Sequence, residues 1–166
     1  MNFNRRGGIY LLPLLKTWSK NIVAAIKSLS EQETEVNGWS TSLAIPKIVR
    51  LCDEPDNLVQ PASPALTITY QGKDVVTPAI MYNYPLTVSY VYASPVEREW
   101  GDDALFACML ASEAIYQAAK EARPAGIYSL NWAGDNVSPL MTTTGTTPLL
   151  SRILTVNINA QMEEDF

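Results

Sequence analysis

Between Tyr82 and Tyr92 the chain alternates strictly. Tyr82, Tyr84, Leu86, Val88, Tyr90 and Tyr92 take the even positions, and Asn83, Pro85, Thr87, Ser89 and Val91 the odd ones. Successive side chains of a strand leave on opposite faces, so this run predicts a strand with a Tyr-rich face on a core and a mostly polar face behind it. Such alternation belongs to an antiparallel or mixed sheet; a strand covered on both faces would read as a continuous apolar run.

Nearer the N-terminus the period changes. Leu11, Leu15, Trp18, Ile22, Ile26 and Leu29 are spaced by three or four residues, the stripe of an amphipathic helix. The spacing predicts a helix from Pro13 to Leu29, with Pro13 in its first turn and Lys16, Lys20 and Lys27 on the opposite face. Leu43-Ala44-Ile45 and Ile48 to Leu51 read as short strands broken at Pro46. Asp53 to Pro64, with three prolines, reads as a loop. Ala65 to Tyr70 is a strand by its β-branched content. Gln71-Gly72-Lys73-Asp74 reads as a hairpin turn, and Val75 to Met81 as the returning strand. Pro78 and Pro85 predict edge or interrupted strands.

After a connector from Ser94 to Gly101, Asp102 is the expected N-cap of a second helix, Asp103 to Glu121. Its expected sheet-facing residues are Leu105, Met109, Ser112, Ile115, Tyr116 and Ala119, and Pro124 and Gly126 stop it. A short strand is expected at Ile127 to Trp132, then a long Thr/Gly/Pro loop from Gly134 to Pro148. A last strand is expected from Leu149 to Gln161, where Leu154, Val156, Ile158 and Ala160 alternate with Thr155, Asn157 and Asn159. The expected fold is therefore α+β: a single domain over residues 1–166, its antiparallel or mixed β-sheet packed against the N-terminal amphipathic helix and one long central helix. A flexible arm over residues 1–8 and an acidic tail over residues 161–166 flank it.

Composition adds one asymmetry. Of the 166 residues 47% are hydrophobic and only 17% charged, below the usual share of about 25%. The net charge of −5 is unevenly spread: residues 1–30 carry Arg5, Arg6, Lys16, Lys20 and Lys27 and no acid. The remainder sets seven basic residues against 17 acids, and the chain closes on Glu163-Glu164-Asp165-Phe166. A basic head and an acidic body can pair between neighbouring subunits, and a solvated helix face beside an acidic tail accounts for the same charges.

Little in the chain points to catalysis. With no histidine, the usual general base, the usual metal ligand and every Ser-His or Cys-His nucleophile are excluded. The paired acids (Asp53/Glu54, Glu97/Glu99, Asp102/Asp103) suit surface and capping roles. No phosphate loop, calcium loop or Cys/His cluster is present. Cys52 and Cys108 make no disulfide framework, and Cys108 falls in a buried helix where an inert thiol is expected. The expectation is a non-enzyme without cofactor or metal. No apolar stretch approaches the ~20 residues that span a membrane, Pro13 cuts short the apolar run that follows Arg5 and Arg6, and export is not expected. Trp18 belongs to the helix stripe. Trp39, Trp100 and Trp132 lie beside glycine or polar turns, where an exposed aromatic anchors an interface; packing serves each equally well. The candidate interface residues are Arg5, Arg6, Lys16, Lys20, Trp39, Trp100, Trp132, Glu163, Glu164 and Asp165.

The order of elements carries a resemblance. The Leu11 to Leu29 helix, Pro85-Leu-Thr-Val-Ser-Tyr-Val91 leading to the Leu105 to Ala119 helix, and Asn136-Val-Ser-Pro139 followed by Arg152-Ile-Leu-Thr-Val-Asn-Ile158 together resemble the tail terminator (tail-completion) proteins of long-tailed bacteriophages. The resemblance covers most of the chain and rests on order and size, not on a motif. It implies a virion protein, assembled in the host cytoplasm, that forms a homohexameric ring at the head–tail joint. Such a ring caps the tail tube and joins it to the neck or connector, with sheath protein as a possible neighbour and DNA only passing through without sequence readout. Another phage neck or tail part (adaptor, sheath-associated or tube protein), or an α+β module binding a small ligand with its aromatic strand face, remains open beside it.

Overall fold

A computed structural model of the protein describes residues 7–37, 44–52, 64–72, 74–77, 81–94, 103–144 and 147–163. Its elements are α1 (Gly7–Asn37), β1 (Ile48–Cys52), β2 (Ala65–Tyr70), β3 (Asp74–Thr77), β4 (Met81–Ser94), α2 (Asp103–Lys120), β5 (Ser129–Thr144) and β6 (Thr147–Glu163). The strands form one mixed six-stranded sheet in the order β1-β2-β4-β6-β5, with β3 also paired to β4. The β1–β2 pair is parallel and every other pair antiparallel. The fold is the α+β class that the sequence predicts.

The core lies between the sheet and both helices. Tyr84, Leu86, Val88, Tyr90 and Tyr92 of β4 are buried, as are Leu154, Val156, Ile158, Ala160 and Met162 of β6 and Leu66 and Ile68 of β2. The Tyr90 hydroxyl donates a buried 2.6 Å hydrogen bond to the Ala44 carbonyl, so the one polar end of that ring is satisfied inside the core. Leu11, Leu15, Trp18, Ile22 and Ile26 of α1 complete the core from above. Each side chain of this size adds about 1.5–3 kcal/mol on burial.

Several local expectations give way. The helix α1 starts at Gly7, so Pro13 stands inside it. The apolar run from Ile9 extends the helix backwards at the cost of one backbone bond, and the exposed Pro13 ring tolerates this. Ala44 and Ile45 are not strand; pairing begins at Ile48.

The expected Gln71–Asp74 hairpin is absent. Tyr70 pairs with Leu86 and Asp74 with Asn83, so four steps on one strand match three on the other. β2 and β3 thus run in one direction along a single lane of β4, and Gly72, just after β2, adopts φ 95°. The break between them explains Pro85. β4 is a central strand, not an edge, but among the described residues no ladder pair on the β2–β3 side includes Pro85. A residue without an N–H costs the ladder least at such a gap. Pro78, expected at an edge, and Asp102, expected as a cap, lie outside the described residues.

The Gly134 to Pro148 loop is overturned most fully. β5 continues to Thr144 and β6 begins at Thr147, with pairing unbroken from Gly134↔Asn157 to Thr144↔Thr147. Gly134, at φ 140°, follows a register shift after Trp132 and marks a bulge within a strand. The last three pairs, Thr142↔Leu149 to Thr144↔Thr147, extend past Ser94↔Leu150, where β4 ends.

Candidate interaction surfaces

Three surfaces are formed by described residues, and none gathers catalytic chemistry. No group of three or more His, Cys, Asp or Glu that could hold a metal ion occurs among the described residues. Among the described residues the two groups with a resolved shift are both in the core. Burial pushes the Cys108 thiol up to about 12, against smaller lowering effects from Arg152 and the Leu154 backbone. Burial likewise raises Tyr90, with Cys108 and Tyr92 adding to the shift. A thiol held protonated in an apolar core is neither nucleophile nor ligand. The sheet-facing tyrosines are enclosed as well: Tyr84 and Tyr90 are fully buried within the core.

The first surface is a groove between α1 and the edge strand β1. Its volume is about 760 Å³, and Leu12, Val23, Val49 and Leu51 give it an apolar floor beside Lys16, Ser19 and Lys20. Local sequence builds it simply. Leu12, Lys16, Ser19 and Val23 recur at helical spacing one position after the core stripe, so they face sideways over the sheet edge. Val49 and Leu51 pair with Leu66 and Ile68 and therefore point to the helix side of the sheet. Leu12 is 46% and Val49 41% exposed. Lys16 and Lys20 are exposed, and neither forms an ion pair with a carboxylate among the described residues. The Ser19 hydroxyl is turned inward, donating 2.7 Å to the Lys16 carbonyl.

The second surface lies along α2 and the other edge strand, β5. The Ser112 hydroxyl donates to Asp135 at 2.8 Å. Tyr116 meets Trp132 edge to face at 5.4 Å, and the Lys120 ammonium sits 4.4 Å over the Tyr116 ring. These contacts place one stripe of α2 (105, 109, 112, 116, 120) above β5. Leu105 and Met109 belong to that stripe, yet they are 41% and 60% exposed. The residues α2 does bury are Ala104, Ala107, Cys108, Ala111, Ala114, Ile115, Ala118 and Ala119, with Leu110. The expected facing set therefore holds at Ser112, Ile115, Tyr116 and Ala119, while Leu105 and Met109 are exposed. Small residues let the helix sit close to its neighbours, and that closeness selects the buried face.

The third surface is the sheet face turned away from the helices. Thr67, Ser89, Thr155 and Asn136 form one row across it, and Thr69, Thr87 and Asn157 the next. The Gln71 side-chain amide donates to the Thr87 hydroxyl at 2.9 Å. Uncharged hydrogen-bonding side chains dominate both rows, and Thr67, Thr69 and Thr87 among them are buried, which leaves Ser89, Asn136, Thr155 and Asn157 as the accessible part of this face.

The sequence-derived interface residues scatter over this frame. Lys16 and Lys20 come together at the groove. Trp132 is half-buried against Tyr116. Glu163 is the last residue of β6, paired with Met81, seven residues along β6 from Val156, whose row contains Leu51 of the groove. Arg5, Arg6, Trp39, Trp100, Glu164 and Asp165 lie outside the described residues. Sequence reasoning missed Leu12, Val49, Leu105 and Met109. For Leu12 a signal existed: it breaks the polar face of α1 next to Lys16. Among the described residues no helix is long and apolar enough to cross a membrane.

No protein-family model matches the chain, and no curated protein matches it. Among solved structures it is similar to a chain described as "Virion of native gene transfer agent (GTA) particle". The two are 10% identical with a TM-score of 0.40, over 87% of this chain and 96% of that one.

Proposed function

We propose that the protein is a structural, non-catalytic virion component that assembles with copies of itself into a ring, hexameric in the closest form of this reading, at the head–tail joint. The ring caps the tail tube and joins it to the neck or connector. One observation carries the self-assembly: both edges of the sheet are bordered by exposed large apolar side chains, Leu12 and Val49 beside β1 and Leu105 and Met109 above β5. Soluble monomers shield or charge their sheet edges and seldom leave apolar clusters beside them. The two edges differ in residues and in covering helix, so pairing one with the other is heterologous. Repetition of a heterologous contact closes into a ring when the rotation per step allows it. The place at the head–tail joint comes from the element order that resembles tail terminator proteins, and the other phage neck or tail parts share the same assembly logic.

Native mass spectrometry and electron microscopy of the purified protein test this. A sixfold particle, or incorporation into purified tails, is the expected result. A monomer that joins neither tails nor connectors at any concentration overturns the reading.

A second reading, a small-ligand-binding module, draws on the groove alone, whose volume falls in the range of about 300–1,000 Å³ typical of ligand sites. It predicts a monomer or dimer whose melting temperature rises with a metabolite.

A further inference from the structure

We propose that the groove between α1 and β1 receives the segment Glu163-Glu164-Asp165-Phe166 of a neighbouring copy, with the Phe166 ring on the apolar floor and the carboxylates against Lys16 and Lys20. The inference rests on the self-assembly reading and names the contact that closes it.

Chemistry matches on both sides. The groove offers Leu12, Val23, Val49 and Leu51 as an apolar seat with two ammonium groups alongside. The segment offers three consecutive acids followed by an aromatic ring. A partner with one buried aromatic anchor and a flanking charged rim is what such a site selects. The basic stretch over residues 1–30 and the acidic remainder give the pairing a direction over longer range as well.

Distance assigns the segment to a neighbour. Leu51 pairs with Ile68, Ile68 with Val88 and Val88 with Val156, so the groove floor and Val156 share one row, three lanes apart. Three lanes span about 14 Å. Glu163 lies seven residues further along β6, roughly 23 Å at strand rise. The direct separation is therefore about 27 Å, whereas the three residues after Glu163 reach ~10 Å at full extension. A copy's own acidic run cannot enter its own groove. The groove and Glu163 are separate patches of one copy, so a contact between them across two copies is head-to-tail, as a ring requires.

Charge reversal tests the contact on the full chain. Lys16→Glu/Lys20→Glu and Glu164→Lys/Asp165→Lys should each weaken self-association by about tenfold or more in sedimentation equilibrium, as should Phe166→Ala. Mixing the two reversed proteins in equal amounts should restore assembly, because each then presents the complement of the other's altered surface. Circular dichroism should be unchanged, since all the altered side chains of the groove rim are exposed. Rings that form at wild-type strength with the acidic run reversed, or reversed proteins that stay apart on mixing, would overturn this contact and leave the ring reading standing. A wild-type chain that never self-associates would overturn both.

Discussion

The two helices cover the same sheet by opposite means. α1 buries large side chains at regular spacing: Leu11, Leu15, Trp18, Ile22 and Ile26. α2 buries a nearly continuous band of small ones, with alanine at 104, 107, 111, 114, 118 and 119. A helix that packs through large residues stands off from its neighbours and keeps its apolar residues inward. One that packs mainly through alanine comes close and has room for few large side chains on that face, here Leu110 and Ile115. Leu105 and Met109 are exposed for that reason, and an interaction surface appears where a hydrophobic stripe would predict core. The position of Asn21, whose amide donates 2.8 Å to the Ala122 carbonyl at the end of α2, fixes how the two helices meet.

The comparison breaks most visibly at Trp18. It is wholly buried, and its indole Nε1 has no hydrogen-bond partner. Trp18→Ala should destabilise by about 3–5 kcal/mol in urea unfolding, the range for emptying a large core site. A loss below about 1 kcal/mol would mean that the large side chains of α1 do not carry the core. For α2 the damaging change runs the other way. Ala114→Leu adds volume at a site with no exposure and should cost about 1–3 kcal/mol through overpacking. If Leu is accommodated without loss, the close approach of α2 is wrong.

These sites also mark how far the sequence was readable. The stripe of α1 and the alternation of β4 and β6 were legible because large apolar residues at fixed period leave one face to bury. The phase of α2 was not, since alanine fits either face and Leu105 and Met109 carry most of the hydrophobic signal. Strand extent failed where chemistry suggested turns. The threonines and prolines near Gly134 to Pro148 read as loop, yet β5 and β6 satisfy each other's backbone through that stretch, and pairing across a hairpin outweighs weak local preference. Gln71-Gly72-Lys73 likewise carries the residues of a turn, yet the flanking strands β2 and β3 both pair with β4 and not with each other. The groove joins α1 to β1 from distant parts of the chain. Sequence supplied its lysines, while its apolar floor depends on which strand lies at the edge.

Cys108 sharpens the contrast through pH. Its thiol belongs to the small-residue band of α2, and burial raises it from 9.0 to about 12. The unfolded chain releases that proton first. The contribution to stability is therefore complete below pH ~9 and falls away as pH rises from 9 towards 12. In a Cys52→Ser background the urea midpoint should drop between pH 8 and pH 10.5, and by less once Cys108→Ala is added. A thiol reagent at pH 8 should leave native Cys108 unmodified and react only on unfolding. Rapid modification of the folded protein would place Cys108 outside the packed band.

The smallest stability effect is expected where the sequence pattern predicts a large one. Leu105→Glu with Met109→Glu puts two charges on the α2 stripe that faces β5. If these positions packed into the core, burying an unpaired carboxylate at each would cost several kcal/mol. Their exposure of 41% and 60% instead predicts a change within about 0.5 kcal/mol in the isolated protein. The effect should surface in assembly, where desolvating two carboxylates against a neighbour weakens association while circular dichroism and the urea midpoint stay at wild type. Equal loss of stability and assembly would return Leu105 and Met109 to the core, and unchanged assembly would remove the α2–β5 edge from the ring contact and leave the groove on α1 to hold it.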